Sequence, residues 1–149
     1  MNINMDKLTF STHTRQDYNK PATPNQLRVR GLRGATTVSD NSAQAITEAV
    51  DELLDALELN NSLDPTEIVS VTFSVTSDLD AIFPASVARH RQGWQDVPLL
   101  DVQQMHVVGG LDHCIRLLIH LNTALPQNAL RHLYLRGAVQ LRPDLALAV

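Results

Sequence analysis

Lysine is nearly missing from this chain: only Lys7 and Lys20 occur in 149 residues, and every later cation is an arginine. Arginine's planar fork grips a carboxylate through two parallel hydrogen bonds, which an ammonium cannot do, so an arginine-only set suits a small polyanionic ligand. The plainer use of such residues is pairing with surface acids. Cysteine is limited to Cys114, which excludes an internal disulfide and makes the cytoplasm the expected setting. Apolar runs fall short of the roughly 18 residues a membrane helix needs, and the polar N-terminus lacks a signal-peptide pattern, so a soluble protein without membrane contact is expected. A net charge of -4 argues against nucleic acid as a partner. No GxSxG, P-loop or GxGxxG motif occurs, and the six histidines form neither HxH nor HExxH, so no metal, cofactor or covalent nucleophile is expected. The apolar neighbours of Cys114 predict burial and a raised thiol pKa.

The charges that are present are unevenly distributed. No cation lies between Gly34 and Ala88, whereas acids collect there, among them Asp51, Glu52, Asp55 and Glu58. Residues 1–26 mix Asn, Thr, Ser and Lys without periodicity, which predicts a flexible extension before one domain over 27–149. From Leu27 the reading LRVRGLRGATT predicts a strand that ends near Arg33-Gly34 and turns there. Asp40, Asn41 and Ser42 are candidate caps for a helix whose Ile46, Ala49, Val50, Leu53, Leu54 and Leu57 share one face; its acidic face reads as solvated surface. Ile68 to Thr76 alternates, with Val69, Val71, Phe73 and Val75 on the inner side. Phe83-Pro84 opens a short helix through Arg91.

The stretch from Val97 to Arg116 reads VPLLDVQQMHVVGGLDHCIR. It predicts a strand, a polar segment holding Asp101, Gln103 and Gln104, a break at Gly109-Gly110, and a helix over 111–123. Leu111, Ile115, Leu118 and Leu121 or Leu125 would form that helix's core stripe. Its N-terminal N–H groups and Arg116 would then form an anion site. After a turn at Pro126, Leu130 to Arg136 alternates, putting Tyr134 on a polar face, and Val139 to Arg142 resumes the alternation up to Pro143. The resulting order predicts an α+β fold, a mixed β-sheet with helices on one face and an open face that another copy would cover. Arginines, a tyrosine and no general acid or base suit binding and electrostatic stabilisation.

Val29-Arg30-Gly31-Leu32-Arg33-Gly34-Ala35-Thr36-Thr37, Phe83-Pro84-Ala85, Gly93-Trp94-Gln95, Val97-Pro98, Gly109-Gly110-Leu111, Cys114-Ile115-Arg116, Arg131-His132-Leu133-Tyr134-Leu135 and Leu141-Arg142-Pro143-Asp144-Leu145 together resemble the monofunctional, AroH-type chorismate mutases, from Val29 to Leu145. The resemblance implies a homotrimer forming a pseudo α/β barrel, with active sites at subunit interfaces. It also implies the cofactor-free Claisen rearrangement of chorismate to prephenate, on the route to phenylalanine and tyrosine. Carried over by position, Arg116 would donate to the ether oxygen and a carboxylate, Arg33 would pair with a carboxylate, and Tyr134 would hydrogen-bond one. Phe83 and Arg89 would come from the neighbouring subunit, Leu141 would form a wall, and Arg142 would sit at the entrance. The strand residues Leu100, Asp101, Val102, Gln103 and Gln104, together with Ser86, complete the expected substrate-binding set.

Three positions depart from the family pattern: Gln104 where a glutamate is usual, Asp101 where a cysteine is common, and Ser86 where a lysine is common. Asp101 and Gln104 are three apart, which suggests that the carboxylate has moved from one to the other and joins Arg116, Arg33 and Gln104 as a catalytic group. The alternative function is a catalytically weakened trimeric protein that binds dicarboxylates. A related trimer acting on imines of amino acids is a third reading.

Overall fold

The structure, a computed structural model, describes residues 23–145. The extension expected over 1–26 therefore falls mostly outside the described residues. Among the described residues, five strands and two α-helices follow in order: β1 (Arg28–Thr37), α1 (Ala43–Asn61), β2 (Ile68–Val75), α2 (Pro84–Arg89), β3 (Leu99–Gln103), β4 (Cys114–Thr123) and β5 (Leu133–Tyr134). They form the mixed α+β architecture expected, with one five-stranded sheet in the order β3-β2-β4-β1-β5. β4 runs antiparallel to both its neighbours, while β3 pairs parallel with β2 and β5 parallel with β1.

α1 forms where the 3.6-residue periodicity places it. Ser42 caps it, its hydroxyl accepting from the Ala45 N–H at 3.1 Å. Asn41 instead reaches out to the β2–α2 loop, where its Oδ1 accepts from the N–H groups of Asp80 and Ala81. Ile46, Ala49, Val50, Leu53, Leu54 and Leu57 are buried against the sheet with Leu32, Phe73, Ile115 and Ile119. The acidic face is more than solvated surface. Arg91 reaches Asp51, Asp55 and Glu58 at 3.0, 2.6 and 3.1 Å, and Glu58 also accepts from Trp94 Nε1 at 2.8 Å. Burial works against the Arg91 charge, but these carboxylates outweigh it and raise its pKa. The cluster ties the end of α2 to α1, and Arg136 adds a second pairing through Glu52 at 2.6 Å.

Five expectations are corrected. Residues 114–123 are the central strand and not a helix. Ile115, Leu117, Ile119 and Leu121 alternate into the core, while Leu118 and Leu125, counted in the helical stripe, are 38% and 45% exposed. A central strand carries apolar residues on both faces, and such a run imitates a helical stripe. The glycine pair lies in a turn in which the Gly110 N–H bonds to the Val107 carbonyl, so no helix dipole follows it. β1 continues through Gly34 to Thr37; Gly34 serves close packing, since a Cβ there would sit 3.0 Å from Leu57 Cδ1 and 3.2 Å from Leu53 Cδ1. A register shift between Ile68 and Ser70 buries Ile68 and leaves Val69 42% exposed, against the inward position expected for it. Finally, β5 spans only two residues, and Arg136–Leu141 coils into a 3-10 helix where renewed strand was expected. Arg136 takes φ 50°, and Gly137 lies so close to Thr37 that a Cβ would meet its Oγ1 at 3.0 Å, so the chain folds over the end of β1.

Candidate active site

Helices cover one face of the sheet. Cross-strand register fixes what the other face presents, because partnered residues share a face. Ala35 pairs with Arg116 on β4 and with Tyr134 on β5, so one small residue sits between a guanidinium and a phenol. Arg33 lies two residues back on the same face, opposite Leu118, and Ser74 and Thr72 extend the row across β2. Arg33, Arg116, Tyr134, Leu141 and Arg142 together line a cavity of about 500 Å³ whose floor is Ala35. Arg116 and Ser74 also face a second cavity of about 580 Å³, closed by Gln104 and the turn at Gly109-Gly110. The stretch around Arg116 thus contributes to the site, but as a strand and a turn.

Electrostatically this surface is one-sided. Arg142 pairs with Asp144 at 2.7 Å, whereas neither Arg33 nor Arg116 has a salt-bridge partner among the described residues. Arg116 Nε and Gln104 Oε1 are shielded from solvent and meet no hydrogen-bond partner among the described residues. Buried polar atoms of this kind are normally satisfied, and both of these residues border the same cavity. Cys114 is buried as predicted, and burial raises its thiol pKa against the opposing pull of Arg116. Next to the site, Asp78 accepts from Thr76 Oγ1 and from the His113 N–H. Burial raises the pKa of its carboxyl, but these bonds outweigh it and the net shift is downward. The bonds hold the start of β4 against the end of β2.

The remaining expected residues lie elsewhere in the protomer. Phe83, 71% exposed, lines a cavity of about 550 Å³ with Asp101, Val102 and Gln103 at the β3 edge. Ser86 and Arg89 are on α2, where the Ser86 hydroxyl donates to the Phe83 carbonyl at 2.7 Å. Leu100 and Val102 show 58% and 39% exposure on the uncovered face. Within one protomer the Asp101 carboxylate does not stand beside Gln104. Three residues apart on a strand means opposite faces, and the Asp101 Oδ1 turns toward the helices to accept from the Ala85 N–H at 3.0 Å. Burial raises the Asp101 pKa, opposed by that bond and by Arg89. Phe83, the N-cap of α2, offers no side-chain acceptor, so Asp101 does that work from β3. We expect Asp101→Ala to lose about 1 to 2 kcal/mol of stability in urea unfolding and Asp101→Asn, which keeps an acceptor, to lose much less. Equal losses would show that the Ala85 bond is not what Asp101 contributes.

Pairing of arginines with the acidic face of α1 is the plainer reading of the sequence and is what Arg91 does, but no sequence signal singles out Arg91 itself or the 3.0 Å bond between the Arg33 N–H and His132 Nδ1. Residues distant in sequence make both, and no local spacing reports them.

An α+β sheet whose open face gathers Arg33, Arg116, Arg142 and Tyr134 around a small cavity is suited to binding a small anion. The chain belongs to the type I chorismate mutase family, which matches residues 29–145. It is 42% identical over 121 residues to the chorismate mutase AroH of Bacillus subtilis (strain 168), covering 81% of this chain and 95% of that protein. The AroH of Thermus thermophilus is 48% identical over 118 residues, covering 78% and 96%. A solved chorismate mutase from Clostridium thermocellum superposes with a TM-score of 0.70 at 42% identity, over 72% of this chain and 96% of that one.

Proposed function

We propose that this chain is a chorismate mutase, an isomerase that converts chorismate to prephenate in aromatic amino acid biosynthesis. The observation that carries the reading is the placement of Arg33, Arg116 and Tyr134 around one cavity of about 500 Å³, in a chain of this family. The rearrangement breaks an ether C–O bond and forms a C–C bond within one molecule, so no proton, electron or second reactant is exchanged. What the protein must do is hold the compact reactive conformer and stabilise the negative charge growing on the ether oxygen. Arg116 donates to that oxygen and to a carboxylate. Arg33 and the Tyr134 hydroxyl bind carboxylate, Leu141 forms a wall, and Arg142 stands at the entrance. Gln104 offers the ring hydroxyl an amide where the family pattern has a carboxylate, which leaves the site more positive.

Phe83, Ser86, Arg89 and the β3 residues Leu100, Asp101, Val102 and Gln103 belong to the second half of the site. They do not line the cavity of Arg33 and Tyr134, which supports a site shared between protomers. The open face, with Leu100, Val102 and Leu118 exposed, supports a homotrimer in which sheets meet around a common axis. The catalytic unit is residues 27–149, and the setting is cytoplasmic; among the described residues no helix is long and apolar enough to cross a membrane. A dicarboxylate-binding protein without turnover is not favoured, because the relatives are named as mutases across most of their length. Purified protein incubated with chorismate alone yields prephenate, identified as phenylpyruvate after acid treatment. Chorismate left unchanged would overturn the reading.

A further inference from the structure

β1 has an edge that β5 covers only in part. The ladder pairs Gly34 with Leu133 and Ala35 with Tyr134, and it ends there. Below it, side chains continue the pairing. Gln127 accepts from the Gly31 N–H at 3.0 Å and donates to the Gly31 carbonyl at 2.6 Å, and His132 Nδ1 accepts from the Arg33 N–H at 3.0 Å. His132 is the one titratable group of the two. It bonds the residue that carries one site arginine, and it stands two residues before the site tyrosine.

We propose that His132 is a positioning residue which, as a neutral imidazole, fixes the Arg33 backbone and thereby aims the Arg33 guanidinium at substrate carboxylate. The inference rests on the carboxylate-binding role given to Arg33 above. An imidazole can accept at Nδ1 only when the proton is on Nε2; a second proton turns Nδ1 into a donor facing another donor. The charged groups around the ring enforce the neutral form. Arg33 on β1 and Arg142 beyond the 3-10 helix face it, Tyr134 follows it on β5, and Asp144 lies close to both arginines but is engaged by Arg142. Partial burial, then Arg33, then Arg142 hold the His132 pKa below 6.5. The sign follows from this depression. The bond is intact above the ordinary imidazole range and is lost as pH falls through the lowered value, and stability and substrate affinity fall with it.

Three variants and one spectrum test this. In the wild type, kcat/KM for chorismate holds through pH 6.5 and declines below it as His132 takes a proton. His132→Asn, which offers an amide oxygen near the place of Nδ1 and does not titrate, keeps KM within about twofold and lacks that decline. His132→Ala raises KM about tenfold at neutral pH with a smaller change in kcat, and its profile also lacks the decline. His132→Gln, whose longer side chain places its oxygen elsewhere, behaves like His132→Ala. Nitrogen-15 spectra of the wild-type imidazole show the Nε2–H tautomer at neutral pH and a depressed pKa, a readout that does not depend on any variant folding or on turnover. An alanine variant with wild-type KM and an unchanged acid decline, or an imidazole protonated at Nδ1, would overturn the proposal. Failure of the wild type to convert chorismate would instead remove the reaction and leave the tautomer to decide the role of His132.

Discussion

Arg116→Ala lowers kcat/KM for chorismate by a factor of about 10³, equivalent to about 4 kcal/mol of lost transition-state stabilisation. The size of the effect comes from where the residue sits. Arg116 is on β4, the central strand, bracketed by Ala35 on one side and Ser74 on the other. Its Nε is shielded from solvent, so in the proposed reaction the guanidinium would meet the ether oxygen from a fixed position. Arg116→Lys recovers little of the loss, because a point charge cannot address the ether oxygen and a carboxylate together. No acid among the described residues pairs with Arg116, so the alanine variant keeps its melting temperature. Steady-state kinetics and a thermal melt check both halves; a variant within tenfold of wild-type kcat/KM would remove Arg116 from the reaction.

Leu53→Ala costs about 3 to 4 kcal/mol of stability. Leu53 is fully buried in the middle of α1, and its Cδ1 lies 3.2 Å from the point where Gly34 would carry a Cβ. Helix and strand are in close contact there, so the backbone cannot collapse far into the space left by the lost isopropyl group. Leu59→Ala, on the same helix at 83% exposure, changes stability by no more than about 0.5 kcal/mol. Urea unfolding of both variants gives the contrast, and similar losses would mean that α1 is not clamped onto β1 in this way. Turnover per folded molecule is unchanged by Leu53→Ala, since the side chain lies behind the sheet from Arg33 and Arg116.

The residues legible in the sequence were those whose neighbours in the chain are also their neighbours in space. The buried stripe of α1 repeats at helical spacing, and its cap sits one residue before it. The strand around Val71 and Phe73 alternates cleanly. β4 imitates a helix because Ile115, Leu118 and Leu121, three apart, also fit a helical stripe; the alternation of Ile115, Leu117, Ile119 and Leu121, with its β-branched members, is the pattern that decides. The error changed the supposed chemistry of the site. A helix dipole was expected to hold the anion, whereas the structure presents side chains from three strands. Asp101 and Gln104 show the same dependence on local structure: three residues apart lie together on a helix and on opposite faces of a strand. The roles of Arg91 and His132 depend on contacts across 33 to 99 residues of sequence, which no periodicity encodes.

The division of the expected residues into two groups leads to a direct experiment. Arg116→Ala and Arg89→Ala, each nearly inactive alone, are unfolded together in equal amounts and refolded as a mixture. If one site draws Arg116 from one protomer and Arg89 from its neighbour in a trimer, random assembly leaves about a quarter of the sites with both arginines, and about a quarter of wild-type turnover returns. A mixture no more active than the mean of the two separate variants, under conditions where wild-type protein refolds fully, would contradict a reaction site shared between protomers.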